Sequence, residues 1–217
     1  MHRPSFRLIG VALALATLAA CKSTATKPAT VGAHASPNAG PPPPGTPPVV
    51  NEADVKFMSH MIPHHAQAVV MAGWAQSHGA RDAVRILCER IVVGQGDEIA
   101  LMQTWLSDRG QVVPDAKATK MKMVMNGVEH EMLMAGMLTD EEMAALDKAR
   151  GSEWDRLFLV GMIKHHQGAI DMVDELFKSY GAAQDEMVFK FANDVYADQS
   201  TEIDRMQKML AGGSERP

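Results

Sequence analysis

The sequence is poor in cysteine, in aromatic side chains and in long apolar runs. Its two cysteines are Cys21 and Cys88, and 5% of its 217 residues are aromatic. If Cys21 is lipidated, as argued below, Cys88 has no partner in the chain, so a fold held by disulfides is excluded. The N-terminal apolar run, residues 8–20, is shorter than the roughly 20 residues that cross a bilayer. It therefore predicts a secretory signal and not a spanning helix.

The last residues of that run indicate how the chain is anchored. Arg3 and Arg7 precede it, and residues 18–21, Leu-Ala-Ala-Cys, resemble a bacterial lipobox, in which the cysteine is lipidated and becomes the mature N-terminus. An ordinary signal peptide cleaved near Ala20 is the alternative. We expect residues 1–21 to be a signal peptide with lipobox. Lipidation of Cys21 would tether an exported protein to the membrane, facing the periplasm or the cell exterior.

Composition changes at residue 50. Residues 22–50 are rich in Pro, Ala, Thr and Gly, which predicts a flexible, partly polyproline linker before a domain at residues 51–213. All 26 acidic residues but only 17 of the 21 basic residues follow residue 50, giving that part a formal charge of −9. This charge argues against nucleic acid as a partner and favours cations.

The domain contains an internal duplication. Residues 54–71, DVKFMSHMIPHHAQAVVM, match residues 155–172, DRLFLVGMIKHHQGAIDM, at a constant offset of 101. A second shared motif, Gln-x-x-Glu-Ile-x-x-Met, occupies residues 95–102 and 199–206. Each half, 51–110 and 151–212, predicts a helical hairpin, and strand-like alternation is nearly absent. Two hairpins close most economically into an all-α four-helix bundle.

Acidic residues open both copies of the repeat. Asn51 precedes Asp54 by three residues, and Ser152 precedes Asp155 in the same way. This spacing predicts two capped helix N-termini. A role for the two carboxylates at a metal site is the alternative.

The halves are joined by a methionine-rich linker, residues 111–150. Thr139 and the acidic residues after it predict a capping box and a short helix to about residue 149. Met-x-Met alternation cannot share one helical face, so we expect an extended or loop segment that wraps a soft metal ion or forms a hydrophobic lid. The linker and the start of the first repeat supply these secondary metal candidates: Met58, His60, Met121, Met123, Met125, His130, Met132, Met134 and Met137.

Paired histidines flanked by methionines are the main candidate ligands. Residues three and four apart share a helical face, so each copy forms a Met/His stripe. The stripes contain Met61, His64, His65, Met71, Met162, His165, His166 and Met172. Adjacent histidines diverge by about 100°, so one of each pair can face the interior and the other a neighbour or solvent. Histidines that only fill the core or cap helices are the structural alternative.

Ligand softness selects the metal. Thioether and imidazole suit Cu(I), whereas iron, manganese and magnesium prefer carboxylates. Di-iron and di-manganese bundles use Glu-x-x-His, which the sequence lacks, so a di-metal oxidoreductase carried by Glu98 and Glu202 is a secondary alternative. The chain also lacks Gly-x-Ser-x-Gly, and Cys88 lies on an apolar helical face, so we predict no nucleophilic enzyme.

Taken together, these motifs resemble the domain of unknown function 305 family. The resemblance rests on His-His after Met-Ile in both copies, on residues 134–139, Met-Ala-Gly-Met-Leu-Thr, and on the paired Gln-x-x-Glu-Ile-x-x-Met motif. It covers nearly all of residues 51–210 and implies a ferritin-like helical bundle among secreted proteins associated with copper binding and copper tolerance. The eight stripe residues are then the implied ligand pool.

We therefore expect a non-enzymatic, extracytoplasmic lipoprotein that sequesters or carries copper, chiefly Cu(I). A protein partner for copper transfer is a further expectation, and an interaction lipoprotein without metal is a further alternative. Met58 and His60 of the first copy correspond to Leu159 and Gly161 of the second, so the two halves need not bind equivalently.

Overall fold

The computed structural model describes residues 50–125 and 127–213. Their helices and strands are α1 Glu52–Gly73, α2 Asp82–Asp108, β1 Met121–Met125, β2 Val128–Met132, α3 Asp140–Lys148, α4 Gly151–Lys178 and α5 Glu186–Gly213. The helical bundle expected from the sequence is confirmed: α1 pairs with α2, α4 pairs with α5, and the hairpins meet through α1 and α4. The signal peptide, Cys21 and the proline-rich linker lie outside the described residues.

The apolar core divides into two clusters along the bundle. One cluster contains Met61 of α1 together with Val173 of α4. The other contains Met71 of α1 together with Met162 of α4. The early part of α1 thus packs against the late part of α4, so these central helices run antiparallel. The duplicated histidines lie between the two clusters and are brought to the helix crossing.

Helix starts follow the sequence in part. Thr139 caps α3 as expected: its hydroxyl accepts from the Glu142 N–H at 3.2 Å, and the Glu142 carboxylate accepts from the Thr139 N–H at 2.8 Å. Asn51 caps α1 by accepting from the Ala53 N–H at 2.8 Å. The expected cap at Ser152 is wrong, because α4 already begins at Gly151.

Asp54 and Asp155 connect the two hairpins. The Asp54 carboxylate accepts from the Ala183 N–H, just before α5, at 2.7 Å. Asp155 accepts from the N–H of Arg81, the N-cap of α2, at 3.3 Å. Burial raises the pKa of both carboxyls above its usual value. Each first helix therefore holds the start of the second helix in the other hairpin, instead of capping its own.

The linker contains a β-hairpin that the all-α prediction omitted. β1 and β2 pair antiparallel, with Met121 opposite Met132 and Met123 opposite His130. Because side chains alternate along strands, these four residues share one face. Lys122 belongs to the opposite face, where its ammonium lies 2.8 Å from the Glu129 carboxylate. The expectation that Met-x-Met marks an extended segment is confirmed.

Helix length and hydropathy bear on membrane insertion. Across residues 50–125 and 127–213, no helix combines the length and apolarity needed to cross a bilayer.

Candidate metal centre

The four repeat histidines form a buried cluster at the crossing of α1 and α4. Each has 0% of its surface exposed. The His64 and His165 rings face each other, with centroids 3.8 Å apart and planes inclined by 40°. His65 and His166 lie outside this inner pair, at 6.1 Å and 6.4 Å from their neighbours in sequence. Both members of each pair are thus in the interior, and neither faces solvent.

The outer histidines face carboxylates on the other two helices. His65 Nε2 lies 2.7 Å from Glu98 Oε2, and His166 Nε2 lies 2.7 Å from Glu202 Oε2. The His166 N–H donates to Glu202. The His65 contact is equally short but poorly aligned, so His65 Nε2 makes no geometrically satisfactory hydrogen bond. The repeat therefore places one imidazole–carboxylate pair on each side of the inner rings.

A short segment of the linker covers the inner pair. We name residues 134–138 the strap. His64 Nε2 donates to the Ala135 carbonyl of the strap at 3.1 Å. This approach requires glycine on both sides: a Cβ on Gly168 of α4 would lie 2.0 Å from the Ala135 oxygen, and a Cβ on Gly136 would lie 2.4 Å from the Lys164 oxygen. Gly136 also has a φ of +74°, which favours glycine.

A glutamine of α1 holds the strap at its far end. The Leu138 N–H donates to Gln67 Oε1 at 2.7 Å, and Gln67 Nε2 donates to the Leu138 carbonyl at 3.0 Å. The Gln67 side chain is buried. Met134 and Met137 are buried too, and the Met137 sulfur accepts from the Met134 N–H at 3.1 Å. This part of the linker is apolar and buried, but it lies at the helix crossing and not across one end of the bundle, where a hydrophobic lid was expected.

Several ring nitrogens in the cluster have no hydrogen-bond partner. The buried atoms without partners include Nδ1 of all four histidines and Nε2 of His165. Leaving a buried polar atom unsatisfied costs about 1–3 kcal/mol. Histidines that bind metal commonly donate one N–H to a carbonyl or carboxylate and bind through the other nitrogen. His64 and His166 are arranged in this way, with Nε2 engaged and Nδ1 free.

Burial keeps the inner rings neutral. Burial, followed by the nearby His65, lowers the pKa of His64 to about 3. Burial and then His64 lower the pKa of His165 well below its ordinary value. Neutral imidazole is the form that binds metal. The inner pair is therefore ready to bind a metal ion at neutral pH without first losing a proton.

The stripe methionines lie on both sides of the histidines. Met61 belongs to one apolar cluster, where Met172 packs half-buried against it, and Met71 and Met162 belong to the other. Within residues 50–125 and 127–213, no three His, Cys, Asp or Glu side chains are grouped as a metal site. The eight stripe residues form a row along the helix crossing and are not gathered around one point.

The secondary candidates are separated in the structure. Met58 is fully buried in the core and Met137 is buried in the strap. Met121, Met123 and His130 lie on the β-hairpin face described above. His60, Met132 and Met134 line one cavity together with Met172, and Met132 also belongs to the β-hairpin face, opposite Met121. The side chain of Met125 lies outside the described part of the chain.

The family assignment follows from a match over most of the domain. The family described as domain of unknown function (DUF305) matches residues 54–210. The chain belongs to the DUF305 family. None of the curated protein sequences matches it.

Solved structures of similar proteins share this DUF305 fold. A DUF305 fragment from Deinococcus radiodurans is 26% identical, with a TM-score of 0.61 over 76% of this chain and 99% of its own. A DUF305 protein from Streptomyces coelicolor, described as secreted, is 26% identical, with a TM-score of 0.62 over 75% and 94%. The Cu(I)-bound form of CopM is 28% identical, with a TM-score of 0.56 over 73% and 96%. CopM also has Cu(II)-bound and Ag-bound structures.

Sequence reasoning left four residues of this DUF305 domain out of the ligand pool. Glu98 and Glu202 contact the outer histidines, although the sequence raised them only for a di-metal enzyme. Gln95 and Gln199, one helical turn earlier, are buried with an unpartnered Oε1. All four belong to the repeated Gln-x-x-Glu-Ile-x-x-Met motif, so the duplication itself was the signal. Cys88 is buried as expected, and burial raises its thiol pKa, which disfavours a nucleophilic thiolate.

Proposed function

We propose that this DUF305 protein binds copper, chiefly Cu(I), at the histidine cluster between α1 and α4. The observation that carries the proposal is the set of buried ring nitrogens without hydrogen-bond partners. Two of these rings, His64 and His165, lie with centroids 3.8 Å apart, and the apolar clusters on either side of the histidines contain methionines of the same helices. A bound cation with a preference for imidazole and thioether would satisfy the unpartnered ring nitrogens.

The donor set favours copper over harder metals. Imidazole with thioether suits Cu(I), and carboxylate-rich sites suit iron or manganese. Each outer histidine has one carboxylate beside it, Glu98 or Glu202, which is fewer carboxylates than the di-iron and di-manganese bundles use. CopM, at 28% identity, has structures with Cu(I), Cu(II) and Ag bound. These are the soft and borderline ions that the Met/His row would accept.

The carboxylates of α2 and α5 hold the outer rings for binding. Glu202 accepts the His166 N–H, which fixes the tautomer and leaves Nδ1 as the binding nitrogen. Glu98 is placed in the same way beside His65. Their negative charge also balances part of the charge of a bound cation. In this proposal the two glutamates support the ligands and do not bind copper.

The physiological role we propose is sequestration or carriage outside the cytoplasm, contributing to copper tolerance. The N-terminal sequence predicts export and lipidation of Cys21, and the Streptomyces coelicolor relative is described as secreted. The cluster has no accessible surface, so a catalytic substrate could not reach it without rearrangement. A non-enzymatic metal carrier, which passes copper to a protein partner, agrees with this burial.

The test is a Cu(I) affinity measurement by competition with a colorimetric chelator under reducing conditions. The variant His64→Leu/His165→Leu removes the inner pair and is expected to weaken binding by at least about 100-fold, the upper end of what removing a single supporting group costs. His78→Gln is the matched control, because His78 is also a buried histidine but both of its ring nitrogens have hydrogen-bond partners, the Ser77 hydroxyl at Nδ1 and the Asp147 carbonyl at Nε2. Unchanged affinity in a folded double variant would sink the proposal.

A di-metal oxidoreductase is the second candidate, favoured by one observation. The two His–Glu contacts at 2.7 Å are related by the repeat, as metal-binding pairs in such bundles often are. Elemental analysis after exposure to copper, iron and manganese separates the two functions. Copper retained in preference to iron and manganese supports the carrier, and two equivalents of iron or manganese support the oxidoreductase.

A further inference from the structure

A cavity of about 260 Å³ opens beside the histidine cluster, between α1, α4 and the end of β2. Its lining contains four soft-metal donors, each from a different element of the fold: His60 from α1, Met172 from α4, Met132 from β2 and Met134 from the strap. We propose that this cavity is a second soft-metal site, which binds Cu(I) or Ag(I) from solvent.

The donor chemistry points to a soft monovalent ion. Three thioethers and one imidazole form a set that suits Cu(I), and thioethers bind without losing a proton. Within the described part of the chain, the His60 ring makes no hydrogen bond to another protein group, so neither of its nitrogens is committed. Among the described residues that line the cavity, the charged ones are Lys56 and Glu175, whose side chains form an exposed ion pair at 2.7 Å. Exposed pairs of this kind contribute little free energy, so Glu175 can turn toward an incoming cation at small cost.

The four donors can be reached from outside, in contrast to the repeat histidines. Met132 is 37% exposed, His60 and Met172 are half-buried, and Met134 is 9% exposed at the inner wall. The four cluster histidines are 0% exposed. An ion in solvent can therefore reach the cavity donors directly, whereas the cluster histidines present no surface to it.

The repeat shows that this cavity is specific to one half of the molecule. The counterpart of His60 is Gly161, and the counterpart of Met172 is Met71. At Gly161 the space is filled: an added Cβ would lie 3.5 Å from Met71 Cε and 3.2 Å from Leu138 Cδ2. The second half thus closes this place with apolar side chains, while the first half has an imidazole and an opening there.

The cavity and the histidine cluster are in contact with adjacent residues of the strap. Met134 lines the cavity, and the next residue, Ala135, accepts the hydrogen bond from His64. The cavity is therefore placed to receive an ion and pass it inward past the strap. That loading role rests on the proposed function of the cluster, whereas binding in the cavity does not.

Silver(I) titration of protein labelled with ¹³C in the methionine methyl groups tests binding directly. Ag(I) is a soft ion without redox chemistry under these conditions. The methyl resonances of Met132, Met134 and Met172 are expected to shift together and to saturate with the same stoichiometry. Met187, exposed on α5 and outside the cavity, serves as the internal reference. Shifts that include Met187 equally, or that omit the three cavity methionines, would overturn the site.

The number of Ag(I) ions bound by three variants distinguishes the cavity from the β-hairpin face and from the histidine cluster. His60→Gln/Met172→Leu is expected to lose one equivalent. Met121→Leu/Met123→Leu, which changes the β-hairpin face outside the cavity lining, is expected to lose none, and His64→Leu/His165→Leu should keep the cavity equivalent. Loss in the hairpin variant with retention in the cavity variant would reject the proposal in favour of the hairpin face. If the unaltered protein binds the same number of Ag(I) ions as His64→Leu/His165→Leu, and one of them is lost in His60→Gln/Met172→Leu, the proposed function is rejected and the cavity site stands.

Discussion

The two ends of the histidine cluster are built from the same repeated sequence but differ in access. At one end, Gly161, Met71 and Leu138 close the space with apolar contacts. At the other end, His60 and Met172 stand at the corresponding positions and line an open cavity. The duplication gives both ends the same scaffold. The strap removes the symmetry, because it places Met134 at the open end and Leu138 at the closed end.

This comparison shows how one segment can control a symmetric site. The strap runs along α4 in the opposite direction, from the cavity near Met172, past Gly168, to Gly161. Between these ends, Ala135 of the strap accepts the hydrogen bond from His64 of the cluster. Substitutions in or under the strap therefore act on both ends, whereas substitutions at the ends act on one.

Acid should lower the free energy of unfolding through the inner histidine pair, which lies between the two ends of the cluster. We expect this to be the largest effect. The pKa of His64 is about 3 in the folded protein and near 6.5 when exposed. Below pH 6.5 the unfolded state binds a proton that the folded state does not, so stability falls with pH until about pH 3. For His64 the loss is roughly 3 kcal/mol at pH 4.5, and the lowered pKa of His165 acts in the same direction.

Urea unfolding of the metal-free protein between pH 7.5 and pH 4.5 measures this loss. The His64→Leu/His165→Leu variant is the control, since it lacks both rings and should lose much less stability over the same range. Equal pH dependence in the two proteins would show that other groups cause it.

Filling the space beneath the strap should damage both ends at once. In Gly168→Ala the new Cβ would lie 2.0 Å from the Ala135 carbonyl oxygen, which is backbone and cannot rotate away. We expect a loss of about 3 kcal/mol in the free energy of unfolding, typical of overpacking. Hydrogen exchange of the strap amides should also accelerate, because the strap would lose its contacts at Ala135 and Leu138 and separate from the bundle.

The matched control is Gly96→Ala in α2, where an added Cβ meets nothing within 4 Å. Alanine there should raise stability by up to about 1 kcal/mol through helix propensity. A Gly168→Ala protein as stable as this control would mean that the strap does not lie on α4.

The sequence predicted what depends on local periodicity. The duplicated stripes, the helical hairpins and the Thr139 capping box are set by residues three and four apart, and each is present. The partners of the histidines were not predictable in this way. His65 meets Glu98 across 33 residues and His64 meets Ala135 across 71, and such contacts depend on how helices and linker pack. The β-hairpin was missed because its charged face and methionine face lack the β-branched pattern of ordinary strands.

Releasing the strap at its closed end should have an intermediate effect. Gln67→Leu leaves the buried N–H and carbonyl of Leu138 without the two hydrogen bonds that Gln67 provides. Unsatisfied buried groups of this kind cost about 2 kcal/mol. Thermal or urea unfolding checks the value, and Gln167→Ala, which changes an exposed glutamine of α4, should stay within about 0.5 kcal/mol. A Gln67→Leu protein as stable as this control would show that the two Gln67–Leu138 hydrogen bonds contribute nothing to the free energy of unfolding.

The smallest effect on stability is expected from changing Gly161 or His60, which occupy corresponding positions of the repeat. Gly161→Ala adds a methyl group 3.2 Å from a Leu138 methyl, which can shift, and alanine gains about 1 kcal/mol of helix propensity. We therefore expect a net change within about 1 kcal/mol. His60→Ala removes a half-buried ring from a wide cavity and should cost equally little.

These two substitutions should nevertheless differ in Ag(I) binding. The Gly161→Ala protein keeps every donor and should bind the full number of Ag(I) ions. His60→Ala removes the imidazole that lines the cavity and should lower the affinity of the cavity for Ag(I) about tenfold or more. Equal stoichiometry and affinity in both variants would mean that the open end is no better a site than the closed one. The difference in access would then be a by-product of packing the strap against a duplicated bundle.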